Sequence, residues 1–242
     1  DLPIDFEATA KIAQLGAQIG ITADQLVQFT RVVAAFSITT GITAETATIL
    51  IGQIAEMENL PVTEFENFAS AVLYLGTVSA ATEQEILTIN DSIATVGTVF
   101  GLSIQGVLGL SAAFATLRIR PELARGSLTR VFSQLQDAID SSGHSLEVLS
   151  SLMGLTVDQT KKLKATDPDQ FFLRFIQGLK NASDQGISFR ASLRDLGINA
   201  VRDIDTISRL ANNFDVLSDA LGDSYAEYAK NTELQRQSQG IF

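Results

Sequence analysis

The sequence contains no cysteine, no tryptophan and a single histidine, His144. The missing cysteines exclude disulfide bonds and thiolate metal sites, and one histidine cannot supply a metal site built from several imidazoles. Charged residues are scarce too, at 19% of the chain, and 17 basic against 28 acidic side chains give a formal net charge of −11. This sign argues against broad contact with DNA or anionic lipid.

Eight short junctions divide the chain. In each, a glycine or a proline is followed by one residue, usually apolar, and then by Ser, Thr or Asn. Glycine adopts the left-handed conformation that ends many helices, and the third side chain caps the next helix. Each junction therefore predicts a helix end joined to a helix start. The eight are Gly20-Ile21-Thr22, Gly41-Ile42-Thr43, Pro61-Val62-Thr63, Gly101-Leu102-Ser103, Gly143-His144-Ser145, Gly154-Leu155-Thr156, Gly186-Ile187-Ser188 and Gly197-Ile198-Asn199.

Between the junctions, apolar residues recur with the helical period of 3.6. Capping boxes support several helix starts, and the pairs that form them are Thr22 with Gln25, Thr63 with Glu66, Thr82 with Glu85, Thr156 with Gln159, and Asp167 with Gln170. The pattern predicts an all-α protein, a compact bundle of about 12–13 short capped helices with no sheet. The predicted helices are 5–19, 22–38, 43–58, 63–76, 82–100, 103–118, 121–142, 145–153, 156–164, 168–183, 188–196, 199–211 and 213–238.

The junctions do not keep one period, because their spacing ranges from about 11 to about 42 residues, and a solenoid is therefore not supported. We expect an N-terminal helical part over 1–80, a helical core over 81–212, and a polar C-terminal helix over 213–242 that projects from the body and leads onward. The chain starts at Asp1 without Met and closes on Gly240-Ile241-Phe242, the beginning of another junction. We therefore expect it to be a piece of a longer protein.

The run from Ser92 to Leu117 carries no charged residue and is long enough to span a membrane. Gly101-Leu102-Ser103 lies in its middle, however, and no aromatic belt flanks it. These features favour two short helices at the centre of the core. Insertion of 92–117 into a membrane is the alternative.

No motif indicates catalysis. Nucleophilic catalysis needs a base beside the nucleophile, and we expect His144, the only histidine, to be a half-buried loop residue. Acidic pairs two residues apart, such as Glu56 and Glu58, point to nearly opposite sides of a helix and cannot share one site. We predict that the protein is not an enzyme and has no catalytic residue, cofactor or metal.

The basic residues concentrate around Pro121, at Arg118, Arg120, Arg125 and Arg130. Guanidinium groups bind carboxylates and phosphates in a planar, bidentate geometry. This cluster is therefore the candidate protein-interaction surface, although an exposed charged helix junction is also common on ordinary protein surfaces.

Five ordered segments extend from this cluster to both sides, namely Thr82-Glu83-Gln84-Glu85-Ile86, Gly109-Leu110-Ser111-Ala112-Ala113-Phe114, Arg120-Pro121-Glu122-Leu123-Ala124-Arg125-Gly126-Ser127-Leu128, Phe175-Ile176-Gln177-Gly178-Leu179 and Leu193-Arg194-Asp195-Leu196-Gly197-Ile198. In this order they resemble the core of the phage tail tape measure proteins of long-tailed phages and prophages. The resemblance covers roughly residues 60 to 238, with weaker similarity before that, and one departure from the family pattern is Arg125.

The resemblance implies a structural protein that sets tail length during assembly and takes part in DNA delivery. It implies that the protein is made in the bacterial cytoplasm and lies in the tail lumen of the virion, with tail tube proteins, tail initiator proteins and tail assembly chaperones as partners. Homo-oligomerisation in the tail is expected, and sequence-specific binding to nucleic acid is not. Contact with a membrane is expected at no stage other than infection. A generic helical interaction scaffold and a membrane-active module that inserts 92–117 are the alternatives.

Overall fold

The structure is a computed structural model that describes residues 6–141 and 143–239. Within these ranges it contains fourteen α-helices, one 3-10 turn at Val62–Glu64 and no strand, which confirms the all-α prediction. The helices are α1 Phe6–Gln18, α2 Ala23–Thr40, α3 Ala44–Met57, α4 Phe65–Val78, α5 Glu83–Phe100, α6 Ile104–Thr116, α7 Pro121–Ser141, α8 His144–Met153, α9 Val157–Thr166, α10 Pro168–Asp184, α11 Phe189–Asp195, α12 Val201–Asn212, α13 Phe214–Lys230 and α14 Glu233–Gln239.

Most junctions have the predicted backbone geometry, since six of their glycines have positive φ. At Gly101 φ is 97°, the Leu102 N–H donates to the carbonyl of Gly97, and Ser103 Oγ accepts from the Gly106 N–H. This geometry ends α5 and caps α6 within three residues. The junction at Gly143 is different, because Gly143 has φ −109° and α8 already begins at His144. His144 is an exposed helical residue, so the prediction of a half-buried loop residue is wrong.

Two of the five capping boxes are complete, at Thr82 with Glu85 and at Thr156 with Gln159. Asp167 also accepts from the Gln170 N–H, with Pro168 at the first helical position. The boxes at Thr22 and Thr63 are absent. Thr63 lies inside the 3-10 turn that precedes α4, so its side chain is not placed before a helix. Gly240 to Phe242, the expected further junction, lies outside the described residues.

Helix α6 lies at the centre of the core, as expected for a charge-free segment. Ten consecutive residues, from Gly106 to Ala115, are buried. Helices α5, α4 and α13 pack around it. The charge-free run is split at Gly101, and no helix in the described ranges combines the length and the hydropathy that a membrane crossing requires.

The C-terminal segment differs from the prediction of one projecting helix. It forms α13 and α14, and α13 packs along α6 and α4 in the body. Leu217, Leu221, Ser224 and Tyr228 recur at helical spacing and form a buried face, which the many charges of this segment obscure in the sequence. The division into 1–80, 81–212 and 213–242 stays a prediction.

A buried polar network produces the break between α13 and α14. Asn231 adopts a left-handed conformation with φ 51°. Glu227 Oε1 then accepts from the backbone N–H groups of Thr232 and Glu233, at 2.8 and 2.7 Å, and from Ser70 Oγ of α4 at 2.7 Å. The carboxylate therefore caps α14 and joins it to α4.

Candidate partner-binding surface

Three of the four arginines, Arg118, Arg120 and Arg125, border a groove where α6 ends and α7 begins. Two adjoining depressions, of about 480 and 460 Å³, share Thr88 and Pro121 as lining residues. We call the pair the Pro121 groove. The first depression has an apolar floor, because Ile89, Ala115 and Ile119 are buried beneath it. A backbone turn at Arg118, with φ 54°, leads the chain from α6 toward Pro121.

Arg118 is engaged within the protein. Its Nη1 group lies 2.6 Å from Glu85 Oε1, and its Nη2 group donates to the carbonyl of Ala80 at 2.9 Å. The pKa of Glu85 is lowered, chiefly by the backbone N–H of Thr82 and further by Arg118. Both side chains are well exposed, so this ion pair contributes little stability, about 1 kcal/mol or less.

Arg120 and Arg125 line the groove together with Arg118 and lie at the start of α7. Arg125 lies near Asp91, whose pKa is raised by burial and lowered in part by this arginine. Arg120 is exposed and forms no ion pair in the part of the chain that the structure describes. The Pro121 groove therefore combines an apolar floor with one arginine that forms no ion pair, and the acids Glu56 and Glu122 line its second depression.

Arg130 has a different role from the other three arginines. Its Nε and Nη2 atoms donate to the two carboxylate oxygens of Asp203 at 2.7 and 2.6 Å. The Asp203 side chain is only 3% exposed, and beside it Ser127 Oγ donates to Thr206 Oγ1 at 3.1 Å. Arg130 thus joins α7 to α12 and does not line the Pro121 groove. A partner-binding role for the four arginines stays a prediction. Three of them, Arg118, Arg120 and Arg125, line the groove in which a partner could bind.

A buried acid that the sequence does not reveal lies near the groove, where α3 ends. Glu58 is 7% exposed, and Asn90 Nδ2 of α5 donates to its Oε1 atom at 3.1 Å. Neither Glu58 Oε2 nor Asn90 Oδ1 has a hydrogen-bond partner in the described part of the chain. Burial raises the pKa of Glu58 to about 8. At neutral pH the folded protein therefore keeps this carboxyl group protonated.

Stability should fall as the pH rises, because the unfolded chain releases the Glu58 proton near pH 4.5 and the folded protein only near pH 8. Linkage limits this loss to about 1.4 kcal/mol per pH unit within that window. Partial hydration and relaxation reduce the penalty of a buried charge in real proteins. We therefore expect the free energy of unfolding to fall by about 1–2 kcal/mol between pH 6 and pH 8. Glu58→Gln imitates the neutral acid and should remove this part of the pH dependence.

Denaturant unfolding of both proteins at pH 5, 6, 7 and 8 tests this prediction. The two free-energy curves should separate with rising pH, with the variant more stable at pH 8. Parallel curves would contradict the raised pKa.

The described residues contain no cluster of three or more metal-ligating side chains. Short capped helices around one buried central helix define the chain as a helical protein module. A family model described as phage-related minor tail protein matches residues 1–196. The chain therefore belongs to the phage-related minor tail protein family and is a structural component of a phage tail, part of the virion. Neither curated proteins nor solved structures give a significant match.

Proposed function

We propose that the chain is the globular segment of a tape measure protein, which sets tail length during assembly and takes part in DNA delivery. The observation that carries the proposal is the match of a phage minor tail family over residues 1–196, together with the ordered resemblance of residues 60 to 238. The fold agrees with a docking role, since the helices are short and share one core. A ruler segment, in contrast, would be a long heptad-patterned helix.

In this proposal the Pro121 groove docks a partner in the tail, namely a tube protein, an initiator protein or an assembly chaperone. A partner segment with apolar side chains fits the floor above Ile119, and a carboxylate on that segment pairs with Arg120. The chain is made in the bacterial cytoplasm and acts in the tail lumen. In the tail it forms homo-oligomers.

Reversing the charge of the groove should impair tail assembly. The double variant Arg120→Glu, Arg125→Glu places two acids opposite the partner's carboxylate. Like charges across an interface cost several kcal/mol, so we expect a decrease of about tenfold or more in complete tails. The measurement is a count of tails by electron microscopy of phage that carry the variant gene.

The pair Lys162→Glu on α9 and Arg190→Glu on α11 is the matched control, because it makes the same change of charge at two exposed sites that do not border the groove. It should leave the number of tails unchanged. The thermal midpoints of both variant proteins show that they remain folded. Equal numbers of tails in the double variant, the control and the wild type would overturn docking through the groove.

A further inference from the structure

A depression apart from the Pro121 groove, which we call the α8–α10 cleft, lies between α8, α10 and α11. It has a volume of about 760 Å³ and is open to solvent. Its lining includes His144 and Glu147 of α8 together with Ser192 and Asp195 of α11. Neither the arginine cluster nor the Pro121 groove contributes to it, so its function is separate from the docking proposed above.

Amide side chains line this cleft along α10. Gln177 and Asn181 of α10 and Gln185, the residue directly after α10, follow one another at intervals of four residues, and all three are exposed. Their amide groups make no hydrogen bond within the described residues. An interval of four residues in a helix corresponds to about 6 Å along its axis. Every second residue of an extended chain is separated by about 6.6 Å.

The two spacings agree closely enough for three successive amides to meet alternate peptide groups of an extended segment. Each Asn or Gln side chain offers both a donor and an acceptor, which is the pair of groups that a peptide unit presents. The α10 helix therefore carries the complement of a polypeptide main chain, with little dependence on the side chains of that segment.

Charges at the two ends of the cleft are opposite. At one end Arg174 Nε donates to the carbonyl of Met153 at 3.0 Å, and its Nη groups make no hydrogen bond within the described residues. At the other end lie Glu147 and Asp195, where Ser145 Oγ donates to the Asp195 carbonyl and joins α8 to α11. A bound segment with an acidic residue near Arg174 and a basic residue near Glu147 has charges that complement both ends of the cleft.

We propose that the α8–α10 cleft binds an extended peptide segment of a partner protein, with Gln177, Asn181 and Gln185 pairing with its main chain. An extended nucleic acid strand has a similar repeat, but its phosphates would lie against Glu147 and Asp195, and the net charge of −11 opposes it. The site does not rest on the proposed role in tail length.

The test selects displayed random 12-residue peptides on the full chain and measures the affinity of the enriched peptides. We expect Asn181→Leu to weaken binding about tenfold, because it removes a donor and an acceptor and leaves their peptide partners unsatisfied. Gln170→Leu is the matched control, since Gln170 is an exposed amide on the same helix outside the cleft. It should leave the affinity unchanged.

Two further measurements sharpen the test. Glu147→Gln should weaken only those peptides that carry a basic residue at one end, and a 12-residue oligothymidylate should not compete. The proposal is overturned if no enriched peptide depends on Asn181, if both leucine variants have equal effects, or if the oligonucleotide displaces the peptides.

Discussion

Arg130→Ala should destabilise the protein by about 3 kcal/mol, because it leaves the Asp203 carboxylate buried without its partner. Within the described residues, Arg130 makes the hydrogen bonds that this carboxylate accepts, and they are bidentate. Loss of one member of a buried ion pair typically costs about 3–5 kcal/mol, and the half-exposed position of Arg130 places the expected value at the low end. Urea unfolding of the purified chain measures the change.

A second variant separates the ion pair from the packing around it. Arg130→Met combined with Asp203→Leu removes both charges and keeps similar side-chain volume, so it should regain most of the lost stability. If the single variant loses less than about 1 kcal/mol, Asp203 does not depend on Arg130, and the assignment of this arginine to the fold is wrong.

Gly109→Val should destabilise the protein by about 3 kcal/mol. A Cβ atom at Gly109 of α6 would lie 2.8 Å from Leu221 Cα and 2.9 Å from the Ala220 carbonyl oxygen, both in the backbone of α13. Backbone atoms cannot rotate away, so the two helices must separate and lose buried apolar contacts. The thermal midpoint and the free energy of unfolding both measure this effect.

Gly222→Val in α13 is the control for this substitution. No atom lies within 4 Å of a Cβ placed at Gly222, and valine is at least as good a helix former as glycine. Its effect should stay within about 0.5 kcal/mol. Equal losses in the two variants would show that α13 does not pack against Gly109.

Local sequence signals predicted the helices well, because helix ends depend on a few adjacent residues. Gly101 and Ser103 correctly predicted the division between α5 and α6, and the buried character of α6 followed from its lack of charge. The position of α13 was not predicted, since its packing depends on Gly109, which is more than a hundred residues away in the sequence. The many charged residues on the exposed face of α13 indicated a projecting helix. Its packing is decided by the buried face, which includes Leu217 and Leu221.

The arginine cluster was recognised from the sequence, but its four members do not act together. Arg130 pairs with Asp203 across 73 positions, and no local pattern marks that partner. The raised pKa of Glu58 depends equally on burial by distant helices. Asp203 and Asp205 form an acidic pair two residues apart in the sequence. This spacing does not show that Asp203 is buried and Asp205 is exposed.

The central proposal, a tape measure role, is tested most directly by tail length. An in-frame insertion of about 40 helix-forming residues into the gene product, outside 1–242, adds about 60 Å of helix. We expect electron micrographs to show tails longer by that amount. The same nucleotides placed after the stop codon serve as the control and should leave tail length unchanged. Tails of wild-type length from the in-frame insertion would contradict the proposed role.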